Sequence, residues 1–146
     1  MNVILDTNIW VSFLFGKRLH TVSSVFENTE VHVYVSFEQI AELRSVLSRS
    51  KIRSHVSAES IEAMWTLMRE YAEVIEDYSV VQTDVRDVKD VYLLSMAEAI
   101  PADFLVTGDK DLLVLEKHVN THIITYSNFI QILCVTFAIH NNQTDK

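Results

Sequence analysis

Short apolar runs that stop abruptly at polar residues set the pattern of this chain. Val3-Ile4-Leu5 ends at Asp6-Thr7-Asn8, which predicts a buried strand entering a helix over Ile9 to Phe15, with a second helical stretch over Val22 to Glu27. Val31 to Val35 is β-branched and aromatic and predicts a strand. Ser36, with Gln39 three residues on, has the spacing of a capping box and opens a helix from Phe37 to about Leu47. Ile61, Met64, Trp65, Met68, Tyr71, Ala72 and Ile75 recur at three- and four-residue steps, which predicts one long amphipathic helix behind the cap Ser57. Tyr78 to Val81 reads as a further strand, Asp87 to Ala99 as a helix, and Phe104-Leu105-Val106 as a strand ending at Thr107-Gly108-Asp109. His122 to Tyr126 reads as the last strand. Ser127 then caps a final helix to about Ile139, and residues 140–146 form a polar tail. Strands alternating with helices predict an α/β fold, a mostly parallel sheet with helices on both faces.

Composition narrows the chemistry. The 146 residues make one domain, here 1–139 with the tail 140–146, and 49% hydrophobic content is enough for a full core. Two glycines, Gly16 and Gly108, cannot build a glycine-rich phosphate loop. A single cysteine, Cys134, excludes an internal disulfide and a multi-cysteine metal site. No segment has the form of a signal peptide or a membrane span, so a cytoplasmic protein with no membrane partner is expected.

The acidic residues carry the strongest signal. In a doubly wound sheet, ligands bind beyond the carboxyl ends of the strands, where the winding reverses. Asp6 and Asp109 follow two such strand ends, although Asp6 could simply cap the first helix. Asp90 has Leu93, Leu94 and Ala97 on its own helical face, so its carboxylate sits on an apolar stripe and needs a cation, unless it is a partly exposed first-turn acid favoured by the helix dipole. Glu42 lies one turn before Val46 at the edge of its helix's buried stripe; Glu38 shares that edge, and periodicity does not choose between them. Acids from four elements at one end of a sheet suit a hard divalent cation, Mg²⁺ or Mn²⁺. Zinc is disfavoured because the six histidines show no ligand spacing. Such a cluster suits metal-assisted hydrolysis of a phosphodiester.

Leu5-Asp6-Thr7-Asn8, Arg86-Asp87-Val88-Lys89-Asp90 and Leu105-Val106-Thr107-Gly108-Asp109-Lys110-Asp111-Leu112-Leu113 resemble the signatures of the PIN domain. The resemblance is to the branch assigned to toxin components of toxin–antitoxin systems, similar to VapC ribonucleases, and it runs in order from Met1 to about Leu133. It implies a five-stranded, mostly parallel sheet and a metal-dependent endoribonuclease. It places the catalytic and metal-binding acids at Asp6, Glu42, Asp90 and Asp109, with Asp87 and Asp111 as auxiliaries. It also matches Asn8 and Thr107 to polar residues that orient the carboxylates or the attacking water. Val88 and Ser50 depart from the branch, which usually has proline at both; Val88 should alter the turn entering its helix.

A net charge of −8 argues against an RNA substrate until the acids are located: without Asp6, Glu42, Asp87, Asp90, Asp109 and Asp111 it is −2. Arg44, Arg49, Lys51 and Arg53, with Lys17 and Arg18, could then line an RNA path or form a solvated face, and Trp10 and Phe13 could stack unpaired bases or be core residues, Phe13 the more so. The apolar final helix, Phe129 to Phe137, suggests either a homodimer or a fully buried last helix, and the resemblance implies a homodimer and an antitoxin partner. A haloacid-dehalogenase-like phosphatase would need a second aspartate where Asn8 stands. A response-regulator receiver would need an acidic pair at the first strand and a late lysine, and neither is present. A PIN nuclease of RNA processing without an antitoxin, and a catalytically silent PIN-like binding module, remain as alternatives.

Overall fold

The computed structural model describes residues 1–15 and 19–144. Six strands form one sheet in the order β3-β2-β1-β4-β6-β5: β1 (Asn2–Leu5), β2 (His32–Ser36), β3 (Ala72–Ile75), β4 (Phe104–Val106), β5 (Lys117–His118) and β6 (Thr121–Ile124). All pairings are parallel except β5 with β6. Among the described residues the helices are α1 (Thr7–Ser12), α2 (Leu19–Phe26), α3 (Phe37–Leu47), α4 (Ser50–Arg53), α5 (Ala58–Tyr71), α6 (Val88–Ala99), α7 (Lys110–Leu113) and, after the last strand, α8 (Tyr126–Thr144).

Side chains alternate across a strand, and the alternation divides the core in two. Val3, Leu5, Val33, Val35 and Val106 face one layer, packed with Trp10, Phe13, Leu43, Met64, Met68, Phe129 and Leu133. Ile4, Leu105 and Ile123 face the other, packed with Leu93, Leu94, Met96 and Leu112 from α6 and α7. Val3-Ile4-Leu5 of β1 and Phe104-Leu105-Val106 of β4 are therefore apolar at successive positions because both faces are covered.

Several expectations are corrected. The third strand is Ala72–Ile75, not Tyr78 to Val81, and α5 stops at Tyr71. Ala72 and Ile75 fit the helical period, but they pair with Val33 and Ser36 of β2. The strand count is six, because Lys117–His118 adds a short antiparallel edge. Ser36 does cap α3 through Gln39 N–H, yet the Gln39 amide turns to the Leu5 carbonyl instead of completing the box. Thr125, not Ser127, begins α8: its hydroxyl accepts from Asn128 N–H, and the helix runs to Thr144 through most of the expected tail. Trp10 and Phe13 are 0% and 1% exposed, so neither offers a face to a base; Trp10 packs against Phe13 and Phe26 instead.

From β1 the chain winds outward through β2 and β3, then returns to β4 on the other side of β1. The winding thus reverses between β1 and β4. The sequence places Asp6 and Asp109 just beyond the carboxyl ends of those two strands.

Candidate active site

The register explains the first contact. Leu5 pairs with Val106, so the next residues, Asp6 and Thr107, stand side by side as the strands end. Asp6 N–H still bonds to the Val106 carbonyl at 2.9 Å, and the Thr107 hydroxyl donates to Asp6 Oδ2 at 2.7 Å. Asp6 occupies the cap position of α1, but its side chain makes no cap hydrogen bond. Its carboxylate is held toward β4.

Asp109 follows on the same loop. Its backbone N–H donates to Thr107 Oγ1 at 3.0 Å, and its Oδ1 caps α7 through Asp111 N–H at 2.9 Å. Asp90 enters from α6, where Asp87 forms the cap by accepting Lys89 N–H at 2.9 Å. Val88, the first residue of that helix, is exposed; the turn remains an ordinary capped start without proline, and no acid is displaced. Asp90 is only 4% exposed, and no described residue donates a hydrogen bond to its side chain.

Electrostatics show how close the acids stand. Asp6 is raised above the ordinary carboxylate value first by burial, against the Thr107 bond, with Glu42 and Asp109 adding repulsion. Asp90 is pushed up to about 6, again first by burial, then by Asp109, Asp87, Asp6 and Asp111. The structure thus brings Asp6, Asp90, Asp109 and Glu42 within electrostatic reach, with Asp87 and Asp111 at the rim. Both rim residues are exposed.

Glu42 is in a different state. The Thr7 hydroxyl donates to its Oε2 at 3.2 Å, Tyr92 donates to the same oxygen at 2.5 Å, and Lys89 Nζ lies 3.0 Å from Oε1. Burial and Glu42 raise Tyr92, and Glu42 raises Lys89, so both remain proton donors. Glu38, the competing position, is exposed. Thr7, Lys89 and Tyr92 were not singled out from sequence. The available signal was the three-residue step from Lys89 to Tyr92, which puts both on one side of α6.

The remaining expected residues separate. Asn8 is exposed on the first turn of α1, and its side chain has no hydrogen-bond partner among the described residues. Arg49, Lys51 and Arg53 are exposed around α4, and Arg49 is near enough to Lys89 to repel its charge. Arg44 lies over the Trp65 ring, 5.7 Å from its centroid. Arg44 and Arg53 line a groove with Trp65 and Ile61, so the four cations do not form one continuous path. Lys17 and Arg18 lie outside the described residues.

Whether a divalent ion suits this site is decided by donor chemistry. Among the described residues, no three acidic, histidine or cysteine side chains stand close enough, as placed, to clasp an ion. The charge among the described residues is nevertheless uncompensated: two buried carboxylates, Asp6 and Asp90, and a third, Asp109, share one hydroxyl donor and two backbone donors, from Thr7 and Asp111. Hard oxygen ligands with excess negative charge fit Mg²⁺ or Mn²⁺.

A profile of the PIN domain family matches residues 2–111. The chain belongs to the PIN domain family. PIN domains are generally nucleases, and they generally use divalent metal ions. The fold is similar to a solved structure, VapBC2 from Rickettsia felis bound to a DNA fragment from its promoter. The TM-score is 0.53 at 17% identity, over 84% of this chain and 97% of that one. At that identity the likeness concerns the fold. No curated protein sequence matches the chain. Among the described residues, no helix of this PIN domain is long and apolar enough to cross a membrane.

Proposed function

We propose that this PIN domain is a metal-dependent endoribonuclease, the toxin of a toxin–antitoxin system. The observation that carries the nuclease reading is the pair of buried carboxylates, Asp6 and Asp90, meeting Asp109 where the sheet's winding reverses. A fold has little reason to bury repelling acids there unless a cation joins them.

Asp6, Asp90 and Asp109 would hold Mg²⁺ or Mn²⁺. When bound, the ion supplies Lewis acidity at the scissile phosphate and lowers the pKa of water. Thr107 fixes the orientation of the Asp6 carboxylate and, through the Asp109 N–H, the start of α7. Glu42, held by Thr7, Tyr92 and Lys89, sets the far wall. Water attacks phosphorus in line, the bond to O3′ breaks, and the products carry 5′-phosphate and 3′-hydroxyl ends. Arg49, close to Lys89, and Lys51 on α4 are exposed and contact RNA phosphates.

The likeness to VapBC2 supports an antitoxin partner, and a cytoplasmic setting follows from that role. A homodimer is proposed through α8, where Phe129 and Leu133 are buried but Val135 is 61% exposed beside a shallow groove with Ile124 and Ile132.

Incubating the purified protein with single-stranded RNA and Mn²⁺ tests the reading. Cleavage is expected, with loss on adding excess EDTA and in Asp6→Asn. Cleavage that persists in EDTA overturns it.

A further inference from the structure

The acids of the site fall into two electrically different groups. Among the described residues, Asp6, Asp90 and Asp109 receive no cation: Asp6 has the Thr107 hydroxyl and the Thr7 backbone N–H, Asp109 has the Asp111 N–H, and none donates to Asp90. Glu42 has a cation of its own in Lys89, 3.0 Å from Oε1, and two hydroxyls, Thr7 and Tyr92, on Oε2. A carboxylate offers about four lone-pair positions, so roughly one is left on Glu42.

Lys89 also has a defined origin. Asp87 caps α6 through the Lys89 N–H, which fixes the backbone from which the lysine leaves. Tyr92, one turn later, reaches the same carboxylate. Two residues of α6 thus grip Glu42 of α3, and Asp90 between them faces the other acids.

We infer that Lys89 is the resident cation at Glu42, in the place that a second divalent ion would need, so that this site binds one divalent ion per chain. The inference rests on the metal-dependent reading above. A second ion at Glu42 would have to displace an ammonium group and then stand beside it, with Arg49 adding further positive charge. Lys89 is accordingly a positioning residue: it neutralises Glu42 and leaves the three aspartates as the ligand set. Its side chain is 59% exposed, so its removal leaves the core untouched.

Counting bound Mn²⁺ on the full chain after EDTA treatment and desalting tests this, by calorimetry and by the electron paramagnetic resonance signal of free Mn²⁺. Wild type and Lys89→Arg should each bind one ion. Lys89→Met should bind a second, weaker ion, and adding Glu42→Gln to it should return the count to one. Two ions in wild type, or a single ion in Lys89→Met, overturns the inference while leaving the nuclease reading intact. No ion in wild type overturns both.

Discussion

Thr107 Oγ1 joins two halves of the site: it donates to Asp6 Oδ2 at 2.7 Å and accepts the Asp109 backbone N–H at 3.0 Å. One hydroxyl therefore ties the end of β1 to the loop after β4, with its hydrogen and its lone pair both in use. Serine keeps this function, and valine, nearly the same shape, removes both bonds.

Thr107→Val should destabilise the protein by about 1–3 kcal/mol, because the Asp109 N–H and a buried carboxylate each lose a partner. Asp6 should rise further, since the Thr107 bond is the largest influence holding it down. Thr107→Ser should recover most of the stability. Urea unfolding of the two variants checks this, and equal stability of both with wild type would contradict the shared role of the hydroxyl.

The pH dependence follows from Asp90. Its folded value, about 6, lies above its ordinary 3.8, so the folded state holds the proton more tightly than the unfolded chain. Stability of the metal-free protein should therefore fall as pH rises from about 4 to about 6, and stay low above that. Asp90→Asn should gain on the order of 1–2 kcal/mol at pH 7, little below pH 4, and flatten this slope to the part that Asp6 contributes. Thermal unfolding in EDTA across that range measures both curves.

Much of this was legible in the chain and some was not, for physical reasons. Val3-Ile4-Leu5 and Phe104-Leu105-Val106 announce doubly covered strands because both faces need apolar side chains. Asp90 stood out because an acid on an apolar stripe is costly, and the structure buries it. Glu42 and Glu38 were inseparable by period, since both lie at the edge of the same stripe. The PIN resemblance selects Glu42, and its physical distinction is the arrival of Thr7, Tyr92 and Lys89 from other elements.

The join of α5 to β3 was hidden because no glycine or proline marks it, and Ala72 and Ile75 satisfy either period. β5 was hidden because its two residues turn into β6 through Val119-Asn120, with Val119 at φ 53° and no glycine to signal the turn. Trp10 follows Asp6 by one helical turn and looked available to a base. The α2 side chain Phe26, packed on its ring, closes that face.

The cations near α4 should divide by function. Changing Arg49 and Lys51 together to Ala should weaken RNA binding and lower the slope of log affinity against log salt by about one to two units. Arg44→Ala should leave that slope unchanged, because Arg44 is committed to Trp65. Equal effects of the two changes, in a fluorescence-anisotropy salt titration, would contradict this division.

The dimer proposal puts Val135 at the contact. Val135→Asp removes the most exposed large apolar side chain described on α8 and places a charge against its counterpart. Light scattering at high micromolar concentration should show a dimer for the wild type and a monomer for the variant. A wild-type monomer would remove the proposal.

The central claim, that Asp6, Asp90 and Asp109 together hold a divalent ion, is tested most directly by anomalous diffraction from crystals soaked in Mn²⁺. The account predicts a single anomalous peak bonded to carboxylate oxygens of all three, absent in Asp90→Asn. A peak lodged elsewhere, or none at millimolar Mn²⁺, would contradict it.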